Sequence, residues 1–259
     1  MKEVDSGNRI FSFFPHIIGK VITMNVTKME GCGNDFIIVD MEEIKGWNIS
    51  ELSKKICDRH YGIGADGLIC VKRNPLEFVY YNSDGSQSSF CGNGMRCFAK
   101  YCVLNRLVDS DEFSVLCDRW NILCKVESVK VTVKLPEEGI VESKCEKDLV
   151  IVCGSRHRIS EVSDLNNICI ERSNEYNLSY VEWVNEKKIS IKTVERGAGL
   201  TLACGSGSYA SAVVMKKKRE ISDKIMVKNP GGYVEIDLKE KSLSGNANLI
   251  FECTWNLTA

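Results

Sequence analysis

The sequence Cys91-Gly92-Asn93-Gly94 recurs with one change as Cys204-Gly205-Ser206-Gly207, 113 residues further on. Each copy opens an apolar stretch. After the first, Met95, Phe98, Ala99, Cys102 and Val103 follow the i, i+3, i+4, i+7, i+8 spacing of one helix face. After the second come Ala210, Val213 and Val214, and Lys216 to Arg219 close the stretch where cations suit a helix C-terminus. Strand-like segments flank both copies. This repetition predicts an internal duplication: a mixed α/β chain of two similar halves, each a sheet around a central helix.

The chain has 259 residues, room for one large domain or two of about 130. Hydrophobic residues are 44% and charged residues 27%, which excludes a fibrous or largely disordered chain. Lys and Arg number 34 against 35 Asp and Glu, so there is no basic excess to neutralise a nucleic acid backbone. The run Lys216-Lys217-Lys218-Arg219 reads as a solvated helix end. No apolar run reaches the length of a membrane span, and Ile10-Phe11-Ser12-Phe13-Phe14 lacks the cleavage site of a signal peptide.

The 13 cysteines are an odd count, expected to stay largely reduced in the cytoplasm. Cys32, Cys57, Cys70, Cys117, Cys124, Cys145, Cys153, Cys169 and Cys253 stand singly, and Cys91, Cys97 and Cys102 lack zinc-ligand spacing. Most read as small buried hydrophobes.

Around the two helices, strands are predicted from Met24 into Gly31–Val39, then at Leu68–Val71, Glu77–Tyr81, Glu112–Cys117, Ile122–Val126 and Val129–Leu135. In the second half they fall near Leu149–Val152, Tyr180–Val184, Ile189–Val194, Lys224–Val227 and Tyr233–Leu238. Ser50 is positioned to cap a short helix carrying Leu52 and Ile56. Pro136 to Gly139 reads as a loop near a domain boundary. The expected division is an extension over 1–23, one domain over 24–132 with 247–259, and a second over 133–246.

A cysteine at a helix N-terminus sits beside unpaired backbone N–H groups and a partial positive charge. That location favours a thiolate, below the ordinary thiol pKa of about 8.5. The same N–H groups can hold a carboxylate. Disulfide exchange uses both thiols of one C-x-x-C motif, which is missing, and a cysteine protease needs a histidine beside its thiol. Only His16, His60 and His157 are present, none next to Cys91 or Cys204. Inversion at a carbon does call for two such groups, one to take a proton from one face and one to give a proton to the other.

Five motifs together resemble the diaminopimelate epimerase family. They are GCGNDFIIVD at 31–40, RHYGIGADGL at 59–68, YNSDGSQSSFCGNGMRCFAKY at 81–101, VERGAGLTLACGSG at 194–207 and NPGGYVEI at 229–236. The resemblance runs from about Met24 to near the C-terminus. It implies two pseudo-symmetric α/β domains with the site in the cleft between them. It also implies inversion of an α-carbon of 2,6-diaminopimelate, LL to meso, without pyridoxal phosphate or metal, on the route to lysine and peptidoglycan precursors.

By the same resemblance Cys91 and Cys204 are the acid/base pair. Asn34, Asn82 and Asn177 match substrate-holding positions, and Gly92, Asn93, Gly205 and Ser206 match the helix N-termini that receive the reacting carboxylate. Glu195 and Arg196 match a substrate-contacting pair, Arg196 suiting the distal carboxylate by its planar fork. His157 matches a histidine that supports the catalytic groups. Each has a plainer reading: turn asparagines, a surface ion pair, a lone loop histidine.

The family's Gly-Asn-Pro-His is here Gly154-Ser155-Arg156-His157. Ser155 reaches less far than asparagine. Arg156 either adds a carboxylate contact or points to solvent. Two alternatives stay open, a proline- or hydroxyproline-type racemase using the same two thiols, and a thiol-rich binding or metal-storage protein. The expected partner is a small molecule, with no nucleic acid and no membrane, and a homodimer is compatible with the family.

Overall fold

The structure, a computed structural model, describes residues 21–142, 148–196 and 198–258. Residues 1–20, Cys145 and Gly197 lie outside them, so most of the expected extension does too. Val21 to Thr23, the last part of that extension, belong to a strand.

Two helices organise the molecule. Helix α1 (Ile49–Cys57) is short and peripheral; α2 (Gly92–Leu104) and α3 (Gly205–Lys218) are central, one in each half. The sequence shows one apolar face on α2, but the sheet wraps it so fully that Arg96, Cys97 and Tyr101 are buried with Met95, Phe98, Ala99 and Cys102. Helix α3 is enclosed likewise. Its buried residues include Ser206, Ser208 and Ser211 among Tyr209, Ala210, Ala212, Val214 and Met215. A helix with strands on all sides has no wet face to mark in its sequence. Of these hydroxyls, Ser208 Oγ donates to Cys204 O at 2.8 Å, and Ser206 Oγ meets His157 Nε2 at 3.0 Å.

The strands form one hydrogen-bonded network that is mixed in direction. Asn34–Asp40 runs parallel to Gly67–Lys72, and Ser155–Val162 runs parallel to Asn177–Asn185. The remaining pairings are mostly antiparallel hairpins. Lys130–Lys134 pairs with Trp120–Glu127 on one side and with Ser242–Asn246 on the other, carrying the ladder from one half into the other. Val21–Gly31 pairs antiparallel with Asn248–Thr258, from Val21 opposite Thr258 to Glu30 opposite Asn248. A hydrophobic cluster containing Phe36, Phe98 and Val133 also takes in Ile191, Met215 and Val234, so the core is continuous between the halves. A smaller cluster of Met24, Val26, Ile37, Leu52, Ile56 and Leu68 lies under α1.

Three local features differ from the sequence reading. Helix α1 is capped by Asn48, whose Oδ1 accepts from Glu51 N at 3.3 Å, because the Ser50 hydroxyl is already committed to Gly85 O at 2.7 Å. Pro136 to Gly139 holds a 3-10 turn over Glu137–Gly139. Ser155–Val162, Ser242–Asn246 and Asn248–Thr258 are strands that composition did not signal. The basic end of α3 is ion-paired, Lys218 with Asp148 at 2.8 Å, Lys216 with Asp223 at 3.1 Å and Lys217 with Glu142. No helix among the described residues is long and apolar enough to cross a membrane.

Candidate active site

Cys91 is the N-cap of α2 and Cys204 the N-cap of α3. Each thiol accepts from the backbone N–H three residues on, Gly94 and Gly207, both at 3.4 Å. The second glycine of each motif makes this approach available. A Cβ on Gly207 would stand 3.0 Å from Ser179 Oγ and 3.2 Å from Cys204 Sγ, and one on Gly94 would stand 3.3 Å from Phe78. The first glycine of each motif serves the other half. A Cβ on Gly205 would lie 3.2 Å from Gly92 Cα, and one on Gly92 would lie 3.4 Å from Gly205 Cα. The two helix N-termini therefore abut, backbone against backbone, with a capping thiol on each.

Around Cys91 the neighbours are amides. Asn34 Oδ1 lies 4.0 Å from the thiol, within reach of its proton, and also accepts from Asn93 Nδ2 at 3.2 Å. The Asn93 amide reaches into the opposite half, donating to Ala203 O at 3.0 Å. Asn82 ends the strand Glu77–Asn82 and holds its turn through Ser86 Oγ at 2.9 Å.

Around Cys204 the neighbours are hydroxyls, a carboxyl and an imidazole. Ser206 Oγ is 3.6 Å from the thiol and 3.0 Å from His157 Nε2. The Cys204 thiol also hydrogen-bonds the Glu195 carboxyl, which accepts from Thr201 Oγ1 at 2.7 Å. Asn177 Oδ1 accepts from the backbone N of Arg196 at 2.8 Å, and Asn177 stands opposite His157 in the parallel ladder. The Arg196 side chain is exposed.

Ser155 and His157 share one face of their strand, and His157 is fully buried. Arg156 lies on the other face. Its guanidinium sits 4.6 Å from the Tyr176 ring and donates to the Tyr176 hydroxyl at 3.3 Å. Arg156 is exposed, in keeping with the solvent-facing reading, and on that surface it engages Tyr176.

Burial reverses the expected thiol chemistry. Desolvation pushes Cys91 up to about 12, against the Gly94 N–H that pulls it down, and the charge of Glu195 adds to the rise. Cys204 is raised well above the ordinary thiol range, by desolvation and then by Glu195. Burial raises the Glu195 carboxyl and lowers His157 to about 3, so the imidazole is neutral. In the structure as it stands both thiols keep their protons. A helix N-terminus alone does not outweigh the loss of water around a thiolate.

Sequence reading did not single out Asp66, Thr201 or Asn229. Asp66 accepts from Asn34 Nδ2 at 2.7 Å, and Asn229 Oδ1 accepts from Cys204 N at 3.4 Å. All three lie inside motifs quoted for the resemblance, and that is the available signal.

The family pattern described as diaminopimelate epimerase matches residues 26–139 and 167–250. A diaminopimelate epimerase of Caldanaerobacter subterraneus subsp. tengcongensis is 35% identical, over 88% of this chain and 98% of the relative. One from Methanococcus aeolicus is 33% identical, over 88% and 97%. Among solved structures, a predicted epimerase of Pseudomonas aeruginosa superimposes with a TM-score of 0.67 at 9% identity, covering 91% of this chain and all of that one. A hydroxyproline epimerase from Agrobacterium vitis gives 0.64 at 9% identity, over 92% and 94%. At such identities the structures attest the fold, and the sequence matches attest the kinship. The chain belongs to the diaminopimelate epimerase family.

Proposed function

We propose that this chain interconverts LL- and meso-2,6-diaminopimelate by a two-base thiol mechanism, in the cytoplasm, on the route to lysine and peptidoglycan precursors. One observation carries the reading: two capping thiols, each on the N-terminus of a central helix, where those N-termini meet. The α-carboxylate lies against the N–H groups of Gly92, Asn93, Gly205 and Ser206, which stabilise the negative charge that develops as the α-proton leaves. One cysteine, its own proton first passed to solvent, acts as thiolate, takes the α-proton from its face and becomes a thiol. The other, as thiol, delivers its proton to the opposite face and becomes the thiolate. The net change is inversion, the protonation states of the two cysteines are exchanged, and proton exchange with solvent resets them for another turnover in the same direction.

Glu195 and His157 sit on the Cys204 side, where the half-buried carboxyl faces the thiol and the neutral imidazole holds Ser206 in place. Asn34, Asn82, Ser155, Asn177 and Arg196 line the part that receives the distal amino acid centre. The division into 24–132 with 247–259 and 133–246 belongs to the same reading, each part supplying one thiol.

Incubation with LL-diaminopimelate in deuterated water tests it. Meso product with deuterium at the inverted carbon is expected. Deuterium exchange with proline or hydroxyproline, and none with diaminopimelate, moves the assignment to the alternative racemase.

A further inference from the structure

The Asn34 amide has two ends, and the protein has tied one of them down. Asn34 Nδ2 donates to Asp66 Oδ2 at 2.7 Å, and the same oxygen accepts from Asp35 N at 3.2 Å. The other carboxylate oxygen accepts from Arg59 Nη2 at 2.9 Å. Arg59 in turn forks onto Asp35 at 2.7 and 3.1 Å, and Lys28 closes the cluster on Asp35 at 2.6 Å. The backbone of Asp66 is pinned as well, its N donating to Asp35 O at 2.9 Å and its carbonyl accepting from Ser83 N at 3.1 Å. This is more support than a surface aspartate needs, and it converges on one side chain that touches the reactive thiol.

A carboxylate only accepts hydrogen bonds, so it selects the NH2 end of an amide. With Nδ2 held by Asp66, Oδ1 must face Asn93 and Cys91. We propose that Asp66 is a positioning residue of the Cys91 half-site, fixing the sense of the Asn34 amide and through it the proton on the thiol. An acceptor facing Cys91 stabilises the S–H form. A flipped amide would present N–H groups and stabilise the thiolate, so the Asp66 charge two bonds away decides which form the resting half-site holds. Other groups that act on Cys91 are Glu195 and Arg96, with Tyr80, Cys97 and Cys117 coupled to it. None of these makes a hydrogen bond to the Asn34 amide among the described residues. The inference rests on the reading of Cys91 as an acid/base thiol, but its test does not need the substrate.

The test is iodoacetamide labelling of Cys91, followed by peptide-resolved mass spectrometry from about pH 7 to 9.5, with melting temperature as the folding check. Cys91 is partly exposed, so reagent can reach it. Asp66→Asn frees the amide to flip, and the Cys91 rate at fixed pH should rise about threefold to tenfold. Asp66→Glu keeps an acceptor-only group and should stay within about twofold of the parent. Arg59→Gln, which spares the carboxylate, should change the rate less than Asp66→Asn does. In an Asn34→Ala background, Asp66→Asn should have no further effect, because the influence passes through that amide. Asp66→Ser is measured beside Asp66→Asn, so that either folded variant decides. An unchanged Cys91 rate in a folded Asp66 variant overturns the proposal, as does an equal rise with and without Asn34. Normal labelling behaviour with no diaminopimelate turnover would instead fault the epimerase assignment.

Discussion

The two half-sites share a cap and differ in everything around it. Cys91 and Cys204 accept the same backbone bond at the same 3.4 Å. Amides surround Cys91, which is half-buried; a hydroxyl and a carboxyl adjoin Cys204, which is buried, and a neutral imidazole backs that hydroxyl. Amides carry no charge, whereas the Glu195 carboxylate acts on the thiol beside it and raises it. The matching backbone caps supply the place for a thiol, and the differing side chains around each cap set its surroundings.

The largest expected effect removes one thiol. Cys91→Ala or Cys204→Ala should lower inversion about 10²–10⁴-fold, the usual worth of a general acid or base. Serine at either position should retain some deuterium exchange from one stereoisomer, since the opposite thiol still reaches its face. Full inversion by a Cys91→Ala protein would end the two-base comparison.

A second effect belongs to the Cys204 side alone. His157 is held neutral in the fold, at about 3, while in the unfolded chain it protonates near 6.5. Below about 6.5 the unfolded state binds the extra proton, so stability is lost as pH falls from there toward 3. Between pH 7 and 5 the parent should lose about 2 kcal/mol more than His157→Gln in urea unfolding. Parallel curves for the two proteins would show that this histidine does not set the pH dependence.

Glu195→Gln sharpens the contrast between the thiols. The Glu195 charge raises Cys204 and, as a smaller effect, Cys91. In the parent, iodoacetamide should label Cys91 before Cys204. In Glu195→Gln the Cys204 rate should rise, and the Cys91 rate by less. A rise confined to Cys91 contradicts the assignment of Glu195 to the Cys204 side.

The smallest effect concerns the distal end of the substrate. Ser155→Asn should lower KM for diaminopimelate by up to about tenfold, the value of one neutral hydrogen bond, and leave kcat nearly unchanged. An unaltered KM would place Ser155 outside the substrate's reach.

The caps and central helices were legible because their signal is local. A thiol, two glycines and an apolar run lie within a dozen residues, and no distant partner is needed to read them. The strand Ser155–Val162 was not, because Arg156 and Arg158 interrupt the apolar pattern while His157 and Ile159 point inward. A histidine whose Nε2 finds Ser206 is as buried as an isoleucine, but nothing in the sequence distinguishes it from a loop residue. The direction of the thiol shifts is hidden from the sequence for the same reason. The helix terminus is a local property and could be read, whereas the desolvation that outweighs it comes from the packed surroundings. Asp66 lies 32 residues from Asn34, and only the parallel pairing of Asn34–Asp40 with Gly67–Lys72 brings them together.

The antiparallel pair formed by Val21–Gly31 and Asn248–Thr258 has a consequence of a different kind. With Val21 opposite Thr258, the described residues begin and end on one rung of one ladder. Topologically the fold is a ring opened at a single point. A few flexible residues suffice to close it there, and the loop between Val162 and Asn177 offers a place to reopen it. A circular permutant cut in that loop would keep every strand pairing and both helix caps. The order in which the two halves leave the ribosome would then be changed without altering the site they form together.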